Sequence, residues 1–112
     1  EFKLYLDNLG LKYYEHLDFT DIISRADIIY MTRVQKERFS DPIEYEKVKN
    51  VYVLKNSTLS NTRPNMRILH PLPRVNEIHT DVDSNPKAYY FEQALNGVYT
   101  RQAILSSLLG IK

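Results

Sequence analysis

Two short stretches carry the residues best suited to chemistry. The first is Arg33-Val34-Gln35-Lys36-Glu37-Arg38, a polar burst directly behind an apolar run. Arg33 and Gln35 stand two apart, so in an extended segment their side chains point to the same face. A guanidinium fork takes a carboxylate or phosphate through paired hydrogen bonds, and a carboxamide orients a polar neighbour. The second stretch is His70-Pro71-Leu72-Pro73-Arg74. Each proline fixes its own φ, lacks an N–H and drives the preceding residue out of the helical region. The carbonyls of His70 and Leu72 are thereby held rigidly with no ladder to join, and they need a partner or water. The plain alternative for both stretches is an ordinary solvated loop.

Composition narrows the classes. Lys and Arg number 15 against 14 Asp and Glu, so no basic excess points to nucleic acid. There is no cysteine, which rules out a disulfide framework and any thiolate zinc site. The histidines at 16, 70 and 79 lack metal-ligand spacing, so neither metal nor cofactor is expected. Apolar runs are too short to span a bilayer and no signal-peptide pattern appears, so a cytoplasmic, membrane-free protein is expected. Asn56-Ser57-Thr58 fits a glycosylation sequon and is read as a chance match. The opening Glu-Phe-Lys-Leu lacks an initiator Met and starts inside amphipathic sequence, which reads as a piece of something longer.

The two stretches need elements to position them. Helical spacing of Phe2, Leu4, Leu6 and Leu9 before Gly10 predicts a helix over 1–9. Tyrosines favour a strand at 11–15, and Asp18 or Thr20 caps a short helix through Ile22, Ile23 and Ala26. Residues 27–32, Asp-Ile-Ile-Tyr-Met-Thr, read as a strand buried on both faces. Asp41-Pro42 starts a helix that runs to about Asn50. A strand at 51–54, a helical turn capped by Asn56 and a buried strand at Ile68-Leu69 follow. Residues 79–86 read as a loop. Ala88 to Leu109 is the longest helical pattern, with a kink or two abutting helices expected at Gly97 and Gly110 closing it. This alternation is that of an α/β fold with a parallel sheet, whose ligands sit beyond the carboxyl ends of the strands. Both stretches follow strand ends, so the fold brings them to one rim.

At this point a resemblance emerges. Asp27-Ile28-Ile29-Tyr30-Met31-Thr32-Arg33-Val34-Gln35-Lys36-Glu37-Arg38, then Ile68-Leu69-His70-Pro71-Leu72-Pro73-Arg74-Val75, resembles the aspartate-binding half of the aspartate carbamoyltransferase family. Ala88-Tyr89-Tyr90-Phe91-Glu92-Gln93-Ala94-Leu95-Asn96-Gly97 is similar to that family's C-terminal helices. The resemblance implies a partial, three-layer, Rossmann-like domain over 1–93, with 94–112 a crossover helix that packs on a carbamoyl-phosphate domain absent from this sequence. It implies carbamoyl transfer from carbamoyl phosphate to L-aspartate in pyrimidine synthesis, by a homotrimer with or without regulatory chains.

The same resemblance assigns residues. Arg33 and Gln35 would hold the carboxylates of aspartate. Pro71, Leu72 and Pro73 would offer main-chain carbonyls to carbamoyl phosphate and the incoming amine, with Leu72–Pro73 cis. Arg38, Glu44 and Tyr45 would belong to the segment that closes the two domains, and Arg74 would support the site; His70, by its own position where the chain leaves a strand, is read as an anchor of the turn. Asn76 stands where relatives carry a carboxylate, so that contact is not carried over. The family's phosphate-binding motifs are absent, so the chain alone is expected to be catalytically silent. Ornithine carbamoyltransferases carry a Cys at the position of Pro71, and its absence here favours aspartate. A non-catalytic assembly module is the remaining alternative.

Overall fold

The computed structural model describes residues 2–34, 40–48 and 51–111. Its elements run α1 (Phe2–Asn8), 3-10 turns at Phe19–Asp21 and Ile23–Arg25, β1 (Ile28–Tyr30), α2 (Pro42–Val48), a 3-10 turn at Asn56–Leu59, β2 (Arg67–Leu69), a 3-10 turn at Thr80–Val82 and α3 (Tyr90–Leu109). It is a mixed α/β chain with a small parallel sheet and a long C-terminal helix.

β2 is the hub. It pairs in parallel with β1 in the register Ile28 to Arg67, Ile29 to Ile68 and Tyr30 to Leu69. On its other side Ile68 donates to the carbonyl of Lys87 at 2.8 Å and accepts from Tyr89 N–H at 3.0 Å, a parallel bridge to Ala88. With backbone partners on both sides, Ile68 is fully buried. Leu54, Leu59, Met66, Ile78, Val82 and Tyr90 join it in one core, with Ile23 at its margin. Each buried aliphatic of this size stabilises the fold by about 1.5–3 kcal/mol.

Four local signals, at Asp18, Gly10, Asp41 and Gly110, are borne out. Asp18 accepts from Thr20 N–H and Asp41 from Ile43 N–H, both at 2.8 Å, capping the turns they precede. Gly10 and Gly110 adopt left-handed φ of 64° and 66°. Each closes its helix with a paired 6→1 and 5→2 hydrogen bond, a conformation glycine takes without a Cβ clash.

Several expected elements differ. Residues 11–16 form no strand and are exposed, because a strand needs a backbone partner and none lies alongside among the described residues. β1 is three residues long and not buried on both faces: Ile28 is 61% and Tyr30 54% exposed, and among the described residues β2 is its one strand neighbour. The predicted strand at 51–54 reduces to one parallel bridge, Leu54 to Ile78, with residues 51 and 52 in a turn. The helix expected through Ile22–Ala26 is two short 3-10 turns. Asn56 is not a cap; Thr58 closes that turn by accepting from Lys55 N–H, while Asn56 N–H donates to Asp81. The 79–86 loop contains a 3-10 turn that buries Val82. α3 begins at Tyr90 rather than Ala88, whose backbone belongs to the β2 bridge, and continues as one helix through Gly97. The predicted end of α2 near Asn50 lies outside the described residues.

The accessible surface is 8963 Å². A folded monomer of 13.2 kDa exposes roughly 6,400 Å². Its radius of gyration of 17.3 Å likewise exceeds the ~13 Å of a compact domain of this length. Large apolar side chains contribute to the excess, among them Phe2, Leu4 and Leu17 near the start and Phe91, Leu95, Val98, Leu105 and Leu109 on α3, all exposed.

Candidate functional site

Because β1 and β2 are parallel, their carboxyl ends open on the same rim. Thr32 and Arg33 leave β1 there, and His70 to Pro73 leave β2. A cavity of about 410 Å³ lies between them, lined by Thr32, Arg33, His70, Pro71, Leu72 and Pro73. Arg33 and the proline turn therefore meet. Gln35 and Arg38 lie outside the described residues. Glu44 and Tyr45 are helical, on α2, and do not line this cavity.

The turn has an unusual backbone. Leu72–Pro73 is cis, and Leu72 has a φ of 47°, a region that branched and bulky residues rarely occupy. The Leu72 side chain packs against the core, which anchors the turn from below. Among the described residues no donor reaches the carbonyls of Pro71, Leu72 or Pro73. The cavity wall thus offers rigid, uncharged acceptors opposite a cation.

Beneath the turn, His70 and Glu77 form a buried pair, 1% and 5% exposed, with Nε2 and Oε1 2.6 Å apart. His70 Nδ1 accepts from Leu72 N–H at 2.8 Å, so the ring proton belongs on Nε2, where it is donated to Glu77. Glu77 also accepts from Val75 N–H and Asn76 N–H at 3.1 and 3.0 Å. Burial alone would raise its pKa; the backbone N–H donors and His70 outweigh it and hold the carboxyl below its ordinary range. From the other side, Gln93 on the first turn of α3 accepts from His70 N–H at 2.9 Å and donates to the Tyr30 hydroxyl at 3.2 Å.

Arg74 leaves the turn and grips Asp83 through both terminal nitrogens at 2.5 Å. Asp83 also accepts from the hydroxyl of Tyr90, and Arg74 lies 3.3 Å from that same oxygen. Asp83 raises the pKa of Arg74, while the Arg74 guanidinium holds the Asp83 carboxyl below its ordinary range. Burial, reinforced by Asp83, pushes the Tyr90 phenol up to about 12.

The fold thus brings together Arg33, Pro71, Leu72 and Pro73, with His70 beneath the turn and Arg74 tied to α3. Sequence reasoning missed Glu77, Asp83, Tyr90, Gln93 and Tyr30 as supports. Glu77, seven residues after His70 and within a stretch rich in turn residues, was a detectable hint. The others are joined across a loop or to a helix face that no periodicity ties to the turn. Among the described residues no group of three or more His, Asp or Glu side chains could hold a metal ion. No described helix is long and apolar enough to cross a membrane.

Comparison with known proteins extends this geometry. Residues 3–108 match the family model "Aspartate/ornithine carbamoyltransferase, Asp/Orn binding domain". The chain is 67% identical over 112 residues to the aspartate carbamoyltransferase catalytic subunit of Bacteroides thetaiotaomicron, covering 99% of this chain and 36% of that protein. It superposes on the catalytic subunit of M. jannaschii aspartate transcarbamoylase with a TM-score of 0.86 at 43% identity, covering 98% of this chain and 36% of that one. The Trypanosoma cruzi aspartate transcarbamoylase in complex with N-(phosphonacetyl)-L-aspartic acid superposes with a TM-score of 0.78 at 28% identity, covering 92% and 33%. The chain therefore spans about a third of the length of these relatives.

Proposed function

Because the chain belongs to the aspartate/ornithine carbamoyltransferase family, as an Asp/Orn binding domain, we propose that it is the aspartate-binding part of an enzyme that carbamoylates L-aspartate. The observation that carries this reading is the cavity in which Arg33 faces the proline turn. A dicarboxylic amino acid needs a cationic fork, and Arg33 supplies one, with Gln35 as its companion. The carbamoyl NH₂ needs acceptors that add no negative charge near a phosphate, and the carbonyls of Pro71, Leu72 and Pro73 meet that need. The relative bound to a phosphonate-bearing aspartate mimic supports the same pairing of ligands.

In the reaction the aspartate amine attacks the carbamoyl carbon, the carbon–oxygen bond to phosphate breaks with its electron pair, and the amine proton departs with the leaving group or to solvent. This chain supplies binding and orientation: Arg33 and Gln35 hold the nucleophile, and the turn fixes the plane of the carbamoyl group. No residue here is assigned to grip the phosphate dianion. That task falls to the two thirds of the relatives' length with no counterpart in this sequence, so the chain alone is silent.

In the complete protein, residues 1–93 form part of a three-layer aspartate domain. Residues 94–112 pack on the carbamoyl-phosphate domain, and Arg38, Glu44 and Tyr45 act in closure. The assembly is a cytoplasmic homotrimer.

Steady-state kinetics on the full-length protein test the reading. Carbamoylaspartate forms, and Arg33→Ala raises KM for aspartate about 10- to 100-fold with little change for carbamoyl phosphate, the scale of one charged hydrogen-bonded contact. Carbamoylation of ornithine in preference to aspartate, or an unmoved aspartate KM, refutes it. Carbamoylaspartate made by the 112-residue chain alone refutes the division of labour.

A further inference from the structure

The geometry points to His70 as a positioning residue for the carbamoyl group, acting through the Leu72 amide. This inference rests on the reading that the proline turn receives that group.

The argument begins with the turn itself. Prolines 71 and 73 have no N–H, so Leu72 N–H is the single backbone donor between His70 and Arg74. That donor is taken by His70 Nδ1 at 2.8 Å. The bond spans two residues, as an Asn or Asp side chain does when it closes an Asx turn. It fixes the peptide plane joining Pro71 to Leu72, and with it the direction of the Pro71 carbonyl, because N–H and C=O of one peptide are rigidly antiparallel. The carbonyl is thus aimed by a ring that lies on the opposite side of the same peptide unit.

For the ring to accept, its proton must sit on Nε2. Glu77 enforces this by accepting there at 2.6 Å. Glu77 is held in turn by Val75 and Asn76 N–H, so the eight residues from His70 to Glu77 close around one buried carboxylate. Gln93 on α3 pins the His70 backbone from the other side. The chain of contacts runs from carboxylate to ring, from ring to amide, and so to the carbonyl of Pro71, a residue that lines the cavity. A histidine that merely filled the core would need neither the tautomer nor the amide contact.

Side-chain replacements separate the two ring nitrogens. Asn places its carboxamide oxygen near the position of Nδ1, whereas Gln reaches toward Nε2 and Glu77. In the full-length enzyme, His70→Gln and His70→Ala should raise KM for carbamoyl phosphate at least about tenfold and lower kcat. His70→Asn should recover a substantial part of both, although it abandons Glu77. KM for aspartate, whose carboxylates are held by Arg33 and Gln35, should move less than KM for carbamoyl phosphate in all three. Amide exchange, read on the same proteins, gives a signal independent of turnover: Leu72 N–H should be protected in wild type and His70→Asn and exchange rapidly in the other two.

Folded His70→Ala with unchanged carbamoyl-phosphate KM and kcat overturns the positioning role, as does rescue by Gln rather than Asn. Leu72 exchange that ignores the substitutions overturns the geometric step. Wild-type protein that fails to turn over carbamoyl phosphate refutes the functional reading, and the ligand named here with it. That outcome is distinguishable because it requires no variant.

Discussion

Replacing Asp83 by Ala removes the group on which Arg74 and Tyr90 converge, and the structure sets the size of the loss. Two guanidinium–carboxylate bonds at 2.5 Å and one phenol bond end at this carboxylate. Hydrogen bonds to charged groups contribute about 1.5–3 kcal/mol. The Asp83 side chain is 32% exposed and that of Arg74 17%, so solvent screening reduces the ionic part. The fully buried Tyr90 keeps Arg74 as a neighbour at 3.3 Å, which limits the penalty at its hydroxyl. The expected destabilisation is about 2–3 kcal/mol, a drop in Tm of roughly 10 °C for a chain of this size. Asp83→Asn, which keeps the shape but not the charge, should cost about half as much. Urea unfolding of wild type, Asp83→Ala, Arg74→Ala and the double variant closes a cycle. Its coupling energy should be at least about 1 kcal/mol, and a value below about 0.5 kcal/mol would show that the ion pair is a surface ornament.

Three further outcomes are expected. The lowered carboxyls of Glu77 and Asp83 contribute stability that is complete above the ordinary carboxylate range and lost as pH falls through their folded values; acid unfolding followed by circular dichroism should shift to higher pH in Glu77→Gln, and an unshifted midpoint contradicts the linkage. Gly97→Ala should stabilise by about 0.5–1 kcal/mol through helix propensity. The added Cβ meets only the tip of Arg101 at 2.9 Å, a side chain that can swing away, so a destabilised variant would show that close packing at Gly97 is needed. The apolar face of α3 should drive concentration-dependent association of the isolated chain, weakened by Val98→Lys with Leu105→Lys; sedimentation velocity showing a monomer at every concentration refutes this.

What was legible in the sequence follows the range of the interactions. Of the two caps left open at the first turn, Asp18 and Thr20, the structure uses Asp18; Asp41, Gly10 and Gly110 likewise act within a few residues, and each was read correctly in place. So was the juxtaposition of Arg33 with the proline turn, because strand polarity alone puts them on one rim. The strand assignments at 11–15 and 51–54 failed for one reason: propensity describes a surface that fits a sheet, while the sheet itself is made by a neighbour. Tyr13 and Tyr14 have none among the described residues, and Leu54 finds one partner, Ile78. The kink at Gly97 failed differently. A cost of about 1 kcal/mol is small against the cooperativity of a 20-residue helix. The supports of the site were illegible because Arg74 meets Asp83 across a loop, and Gln93 meets His70 from a helix 23 residues away.

The surface excess bears on how the half-site is kept in shape. About 2,500 Å² beyond the expectation for this mass is some three times what one partner contributes to a standard protein–protein interface. Cover on that scale resembles the interior of a larger fold more than a docking contact, which supports the reading that the chain works inside a protein about three times its length. Yet the turn that would meet the carbamoyl group does not depend on that cover. His70, Glu77, Met66, Ile68 and Tyr90 are buried by this chain's own residues, and the bonds that fix the turn come from His70, Glu77, Asp83 and Gln93 of the same chain. Large exposed apolar side chains lie instead on α1, on the segment that follows it, on β1 and along α3. Arg33 leaves the carboxyl end of that exposed strand, whereas the carbonyls opposite it stand on the core. Support for the two walls of the cavity is therefore asymmetric: the proline turn stands on the core through Leu72, whereas Arg33 follows a strand whose Ile28 and Tyr30 are more than half exposed.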